Sequence, residues 1–349
     1  MMMDLSRLCG ERPIVQAPLA GGATTPDLVA AVSAAGGLGS LPAGYLTADA
    51  FGARIAEVRG LGTRTFAVNL FVPSPSRSPE CDDELAAYRS ELAEESDRLG
   101  VEVGPARYDD DDWDAKVDLL VEARVPVVSF TFGCPSEEVL TRLRAVGSAT
   151  VVTVTTVAEA LTAVARGADG VCAQGVEAGG HRAVFDPDHG EDRPLAELLR
   201  DVVRAVDVPV IAAGGIMDGA DVAAVLSSGA AAAQSGTAFL RCPESGAQPV
   251  HKAALADPDF TETSLTCAFT GRPARGLTNR FILDHRDAPR AYPQVHHMTK
   301  PLRAAASRAA DPEGMALWAG TGFRRARELP AGELVAVLRD EAIQAGASL

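Results

Sequence analysis

Two loops near residue 220 place glycine and small polar side chains directly after predicted strands. The apolar run 208–213 predicts a buried strand, and Gly214 and Gly215 follow it. A second predicted strand at 231–233 opens into the polar segment 234–237. Backbone N–H groups left unpaired at such turns bind anions, most often phosphate. The alternative is a crowded corner of the fold where glycine only relieves steric contact.

Two amide side chains end other predicted strands. Asn69 lies near the carboxyl end of the predicted strand 65–71, and Gln174 ends the strand 170–174. An amide both donates and accepts hydrogen bonds, which suits the edge of an isoalloxazine ring, where carbonyls and ring nitrogens alternate. These loops carry few acids and no set of residues with metal-ligand spacing. We therefore expect an organic cofactor and no metal.

Strands and helices alternate along most of the chain, which predicts parallel strands joined by helical crossovers. The predicted strands are 13–18, 37–40, 65–71, 125–132, 150–155, 170–174, 208–213 and 231–233. Eight strands predict an α/β fold, a (β/α)8 TIM barrel, whose phosphate site follows strands seven and eight. We find no linker and no other repeat, so residues 1–349 are expected to form a single domain.

Two segments interrupt the alternation. Residues from about 73 to 114 are predicted to be a peripheral insertion, and the run Asp109–Asp112 is expected to be a solvated loop face. Residues from about 247 to 319 are predicted to form a mainly helical cap segment between the last strand and the last helix. This cap would lie over the carboxyl ends of the strands, where the active sites of barrels are found.

The composition excludes several classes of protein. The chain has 349 residues, 47% of them hydrophobic, and a net charge of -15, which argues against nucleic acid as a partner. Six scattered cysteines without a CxxC pair predict neither structural zinc nor a disulfide scaffold. No apolar run reaches the roughly 18 residues of a membrane span. We expect a cytoplasmic protein that does not bind membranes.

A series of motifs resembles the nitronate monooxygenase family, formerly called 2-nitropropane dioxygenases. The motifs are PIVQAPLAGGATTPDL, AAGGLGS, FAVNLF, GVEAGGHR, IAAGGI, AAQSGTAFL, GRPARGLTNRF and HHMTKPL. Together they span about residues 13 to 325. GVEAGGHR is the most specific, although related flavin reductases share it. One departure is Leu19, where the family often has Met, so the side chain keeps its volume and loses the polarisable sulfur.

The resemblance implies non-covalently bound FMN and oxidative denitrification of a small-molecule nitronate or nitroalkane with O2, giving a carbonyl compound and nitrite. It implies a catalytic base at His181, whose ordinary pKa of about 6.5 suits proton transfer near neutrality. A monomer or homodimer is expected. The implied FMN-binding residues are Ala17, Pro18, Leu19, Asn69, Gln174, Gly179, Gly180, Gly214, Gly215, Gln234, Ser235, Gly236 and Thr237.

Residues of the cap segment have weaker indications. Tyr292 is a substrate-pocket candidate, and Lys300 or Arg182 is placed to offset the charge of a nitronate. His296 and His297 are adjacent and cannot share a helix face, so a structural role is favoured for them. Four polar residues are expected to anchor the cap: Arg272, Arg275, Asn279 and Arg280.

Two other functions remain open from the sequence. One is an FMN-dependent NAD(P)H reductase on the same barrel, either a quinone reductase or a flavin-type enoyl-acyl-carrier-protein reductase. The other is a non-catalytic flavin-binding barrel.

Overall fold

Parallel strands form a barrel in the computed structural model, which describes residues 4–74 and 82–348. The eight-stranded sheet has the order β1-β9-β8-β6-β5-β4-β3-β2, and a parallel bridge between Val15 and Leu38 connects its two edges. The strands, including three outside the barrel, are β1 (Ile14–Gln16), β2 (Ser40–Pro42), β3 (Ala67–Phe71), β4 (Val127–Thr131), β5 (Ala149–Val154), β6 (Gly170–Gln174), β7 (Gly180–His181), β8 (Val210–Ala213), β9 (Ala232–Ser235), β10 (Thr263–Thr266) and β11 (Ala274–Leu277). The predicted barrel is confirmed, with each predicted strand in place.

Helices cover the outside of the barrel and build the cap. They are α1 (Leu5–Glu11), α2 (Pro26–Ala34), α3 (Ala48–Gly60), α4 (Asp82–Glu91), α5 (Ala93–Leu99), α6 (Trp113–Ala123), α7 (Glu137–Ala145), α8 (Val157–Ala165), α9 (Leu195–Ala205), α10 (Gly219–Ser227), α11 (Pro249–Ala254), α12 (Arg280–Asp284), α13 (Gln294–Arg308) and α14 (Ala331–Gln344). Several begin where a side-chain oxygen accepts from a free N–H of the first turn. These caps are Thr25, Thr47, Ser136, Thr156 and Asp218.

Two apolar layers hold the barrel. One lies between the strands and the outer helices, and it includes Phe51, Leu140 and Leu199. The other fills the barrel interior, where Leu5 and Leu8 of α1 pack with residues from the starts of the strands. Helix α1 therefore closes the amino end of the barrel and leaves the carboxyl end for a site. Helix α1 was not predicted from the sequence, because a helix of seven residues gives little periodic signal.

The cap segment 247–319 contains two strands beside its predicted helices. Strands β10 and β11 pair in antiparallel fashion, and β11 also pairs with β7. The resulting three-stranded sheet begins directly after β6, at the carboxyl end of the barrel. Four-residue strands rich in Thr, Ser and Arg are hard to recognise from sequence because they lack an apolar alternation.

The segment 82–112 packs against the cap. Leu85 and Tyr88 of α4 share an apolar cluster with Val295 and Met298 of α13. The predicted insertion of 73–114 starts near the end of β3, and its residues 75–81 lie outside the described part of the chain.

The prediction of a solvated Asp109–Asp112 run was wrong for Asp111. Its carboxylate accepts the Tyr45 N–H at 2.9 Å and pairs with Lys116 at 2.8 Å. The Lys116 side chain is 1% exposed, and its Nζ also donates to the Ala43 carbonyl. A buried lysine needs such a counter-charge, which explains why one acid of the run turns inward.

No helix in the described ranges is long and apolar enough to cross a bilayer.

Candidate active site

A cavity of about 490 Å³ opens at the carboxyl ends of the barrel strands, beneath the cap. Its floor includes barrel-interior side chains such as Val127, Val151 and Ile211. Almost all of the residues predicted to bind a cofactor or substrate line this one cavity. The exceptions are Ser235, whose hydroxyl is buried without a hydrogen-bond partner among the described residues, and Tyr292.

The loops after β8 and β9 form a cradle of unpaired backbone donors. The N–H groups of Gly215, Ile216, Gly236 and Thr237 donate to no acceptor in the described part of the chain. Gly214 has φ of 123° and Gly215 has φ of 72°, conformations that other residues rarely adopt. Converging free N–H groups at the ends of neighbouring strands suit the oxygens of a phosphate.

A third segment completes this cradle. The Gly320 N–H donates to the Thr237 hydroxyl at 3.0 Å, and the Thr321 N–H donates to the Glu177 carbonyl at 3.0 Å. A side chain at Gly179 would collide with the backbone of Ala319 and Gly320. Nothing in the sequence placed this segment beside the barrel loops. Only the folded cap brings 319–322 to the barrel loops.

His181 is held on strand β7 at the cavity mouth. It lies opposite Ala274 of β11, and the Arg182 N–H donates to the Pro273 carbonyl at 2.8 Å. Phe132 and Trp318 lie beside the imidazole, with ring centroids at 5.4 and 5.6 Å. This short cap sheet fixes the orientation of the ring, so the predicted base depends on strands that the sequence did not predict.

The surroundings of His181 favour the neutral form of its imidazole. Its Nε2 is 3.0 Å from the Thr270 hydroxyl, which lies 3.2 Å from the Arg272 carbonyl. If that hydroxyl donates to the carbonyl, Nε2–H donates to the hydroxyl and the Nδ1 lone pair remains free. Burial, followed by the positive charges of Arg272 and Arg303, lowers the pKa of His181 to about 3.

Gln174 connects the ends of the His181 loop. Its Nε2 donates to the His181 carbonyl at 3.1 Å, while its Oε1 accepts from the Ala183 N–H at 2.9 Å and from Arg182 at 3.0 Å. Arg182 is 1% exposed and also donates to the Gly175 carbonyl. Arg182 therefore braces this loop from behind and does not line the cavity.

Other predicted residues take distinct places around the cavity. The Asn69 amide donates to the hydroxyls of Ser129 and Thr131, both at 3.0 Å, on the neighbouring strand. Lys300 lies at the exposed rim. The Tyr292 ring packs behind the wall, with its centroid 6.1 Å from that of His181 and 5.4 Å from that of Phe132.

Anchoring roles predicted in the cap agree with the contacts. Arg272 lies over the Phe132 ring at 4.0 Å, and Arg280 pairs with Glu95 of α5. Asn279 caps α12 and donates to the carbonyls of Pro312 and Met315. Arg275 donates to the Val176 carbonyl at 2.9 Å.

Three cavity residues were missed or undervalued by the sequence analysis. They are Tyr45 after β2, and His296 and Arg303 on α13. The sequence favours a structural role for His296 over contact with substrate, and the structure places its ring in the cavity wall. The position of Tyr45, just beyond the carboxyl end of a barrel strand, is the signal that could have identified it.

The donor set suits a flavin better than a metal ion. The cavity combines the backbone cradle with the amides of Asn69 and Gln174 and an apolar floor. Among the described residues, no three His, Cys, Asp or Glu side chains are grouped to hold a metal.

Known proteins resemble this chain over nearly its whole length. Residues 3–341 match the family model described as nitronate monooxygenase. A nitronate monooxygenase from Pseudomonas aeruginosa is 42% identical, over 96% of this chain and 98% of that protein. A probable nitronate monooxygenase from Bacillus subtilis is 39% identical, over 91% of this chain and 92% of that protein.

Solved structures give the same picture. A nitroalkane oxidase from Streptomyces ansochromogenes superimposes with a TM-score of 0.93 at 53% identity, covering 96% of each chain. FabK from Thermotoga maritima superimposes with a TM-score of 0.74 at 27% identity, covering 99% of this chain and 97% of that one.

Proposed function

The chain belongs to the nitronate monooxygenase family of flavin-dependent oxidoreductases, and we propose that FMN is its cofactor and alkyl nitronates are its preferred substrates. O2 is the co-substrate, and a carbonyl compound and nitrite are the products. The observation that carries this proposal is the position of a neutral imidazole, His181, in the same cavity as the backbone cradle of β8 and β9.

The FMN phosphate is assigned to the cradle. Gly214, Gly215, Gly236 and Thr237 would surround it, with backbone N–H groups as donors. The ring system would extend across the mouth towards Asn69 and Gln174, with Ala17, Pro18 and Leu19 along one side. We also propose that the barrel and the cap act as one FMN-binding domain, because both contribute walls to this cavity. Bound flavin would supply the acceptor for electrons from the substrate.

The charges around His181 favour a substrate that is already ionised. A neutral imidazole with a strongly lowered pKa is a weak base, and the imidazolium would lie near two arginines. A nitronate anion brings its own negative charge to this positive surrounding. The anion would also raise the pKa of His181, so that the imidazole can donate a hydrogen bond to it.

With a neutral nitroalkane, His181 takes the α-proton onto Nδ1. The hydrogen bond from Nε2 to Thr270 holds the ring in the necessary orientation. The rings of Phe132 and Trp318 pack beside the imidazole and cover part of it. This role is conditional on the substrate form, since a nitronate has already lost its acidic α-proton.

Replacement of the imidazole tests this division of roles. His181→Asn should lower kcat/KM for nitroethane by about 10²- to 10⁴-fold, the usual contribution of a general base. The same variant should lower kcat/KM for pre-ionised ethyl nitronate by less than about tenfold, because no proton must be removed. His189→Asn, at an exposed site, is the matched control and should behave as the wild type. Equal losses for both substrate forms would contradict the role as a base.

Anaerobic mixing separates this function from the alternatives. The purified protein should contain FMN, and ethyl nitronate should reduce it without NADH. Rapid bleaching by NADH with no response to the nitronate would instead identify a reductase. Bound flavin that responds to neither reagent would identify a binding protein.

A further inference from the structure

Arg303 brings a positive charge to the cavity without a neutralising carboxylate. Its Nε donates to the Thr299 hydroxyl at 3.1 Å, and its Nη2 donates to the His296 carbonyl at 3.0 Å. No carboxylate of residues 4–74 or 82–348 pairs with it. Its Nη1 likewise has no acceptor in these ranges, although the side chain lines the cavity. A guanidinium so placed is left with donors for an anion.

Tyr45 presents a second free donor. Its φ of 70° is unusual for an aromatic residue, and the strain is held by Asp111, which accepts the Tyr45 N–H at 2.9 Å. Asp111 is in turn fixed by the buried Lys116. The Tyr45 hydroxyl is buried in the cavity wall beside the Tyr292 side chain, and no acceptor among the described residues lies in hydrogen-bond geometry with it. A buried hydroxyl without a partner is destabilising unless a ligand satisfies it.

His296 connects these two donors. Its ring stacks on Tyr45, with centroids 4.3 Å apart and an interplanar angle of 3°, and its Nδ1 is 3.2 Å from Nη2 of Arg303. Phe71 continues the wall, with its centroid 5.5 Å from that of Tyr45 and 6.5 Å from that of His181. The free donors and the proposed base therefore belong to one contiguous surface.

We propose that Arg303 and the Tyr45 hydroxyl bind the oxygens of the nitronate group, with His296 positioning both side chains. This assignment rests on the proposed function, because it names where that substrate is held. A nitronate spreads its charge over two oxygens, so one oxygen can accept from the free Nη1 of Arg303 and the other from the Tyr45 hydroxyl. The chain carries a net charge of -15, so local donors must provide the attraction for an anion.

Nitrate is a suitable probe, since it is planar, anionic and unreactive here. Its dissociation constant is measured by calorimetry on the flavin-loaded enzyme, and ethyl nitronate turnover is measured in parallel. Arg303→Met should weaken nitrate binding and raise KM by about ten- to hundredfold, as expected for hydrogen bonds to a charged group. Tyr45→Phe removes only one hydroxyl. Nitrate binding should weaken and the KM for ethyl nitronate should rise, each by about three- to tenfold.

Two exposed residues provide matched controls. Arg308→Met removes a positive charge from the same helix, and Tyr108→Phe removes an exposed hydroxyl. Both should bind nitrate as the wild type does. The assignment would be overturned, and the proposed function kept, if Arg303→Met and Tyr45→Phe both bound nitrate and oxidised the nitronate as the wild type does. Failure of the wild type to bind nitrate, or a loss confined to Lys300→Met, would also overturn it. A wild type that does not oxidise nitronates would instead reject the proposed function.

Discussion

At the scale of single residues, the proposed chemistry depends on the positive charge around the imidazole of His181. Burial of His181 and the positive charges of Arg272 and Arg303 both disfavour its protonated form. The free enzyme should therefore keep His181 unprotonated across the whole physiological range. Arg303 therefore has two effects: it disfavours the protonated form of His181, and it is proposed to bind the substrate anion.

The pH profile should reveal this coupling. With nitroethane, the acid limb of kcat/KM should fall well below the ordinary histidine pKa, because the pKa of His181 is lowered to about 3. In Arg303→Met, one of the two positive charges is gone, so the limb should move to higher pH. A limb near pH 6.5, identical in both proteins, would show that another group controls proton transfer.

Some residues of the candidate site could be predicted from the sequence, and others could not. Gly214, Gly215 and His181 stand in local patterns whose chemistry is readable from neighbouring residues. Arg303 is one of two arginines in α13, and most arginines on the surface helices of a barrel are solvated. Its exposure is decided by the packing of α13 on the barrel, which no local pattern encodes.

At the scale of elements, the barrel was predictable because each βα unit repeats the same local sequence pattern. Short apolar strands, capped helices and a terminal glycine recur along 13–235, and a parallel βα repeat has few ways to close. The cap sheet of β7, β10 and β11 was not predictable, because pairings between two-residue and four-residue strands depend on the finished barrel beneath them.

The loop after β8 gives a prediction at this scale. Gly214→Val adds a side chain at φ of 123°, within 3.4 Å of Gly175 and Ala178. The loop should shift, and FMN affinity should fall at least about tenfold, or 1.4 kcal/mol. Gly62→Val is the matched control, since Gly62 has φ of 84° and open space around its Cα. The measurement is FMN content by absorbance, followed by titration of the apo-protein. Equal flavin retention in the two variants would place the phosphate elsewhere.

At the scale of the whole molecule, the barrel and the cap bury titratable groups at their junction. His181, His251 and His296 all line the cavity, and burial lowers the pKa of each. Asp111 has the opposite effect on the pH dependence of stability. Burial raises its pKa to about 6, so the folded protein binds this proton more readily than the unfolded chain does. The proposed active-site cavity is therefore also where acid should weaken the packing of the cap on the barrel.

His251 isolates this effect because its Nε2 donates to the Trp318 carbonyl at 3.1 Å and its pKa is lowered to about 4. Between pH 6.5 and 4 the unfolded chain binds a proton that the folded protein does not, so stability falls as pH decreases through this window. The contribution lost between pH 7 and pH 5 is about 2 kcal/mol. His251→Gln keeps a donor for Trp318 and cannot titrate, so its loss of unfolding free energy over this interval should be smaller by about that amount.

Chemical denaturation of the flavin-loaded protein at the two pH values measures the difference. His189→Gln, at an exposed site, serves as the control, and an identical pH dependence in His251→Gln and the wild type would show that His251 does not couple acid to unfolding.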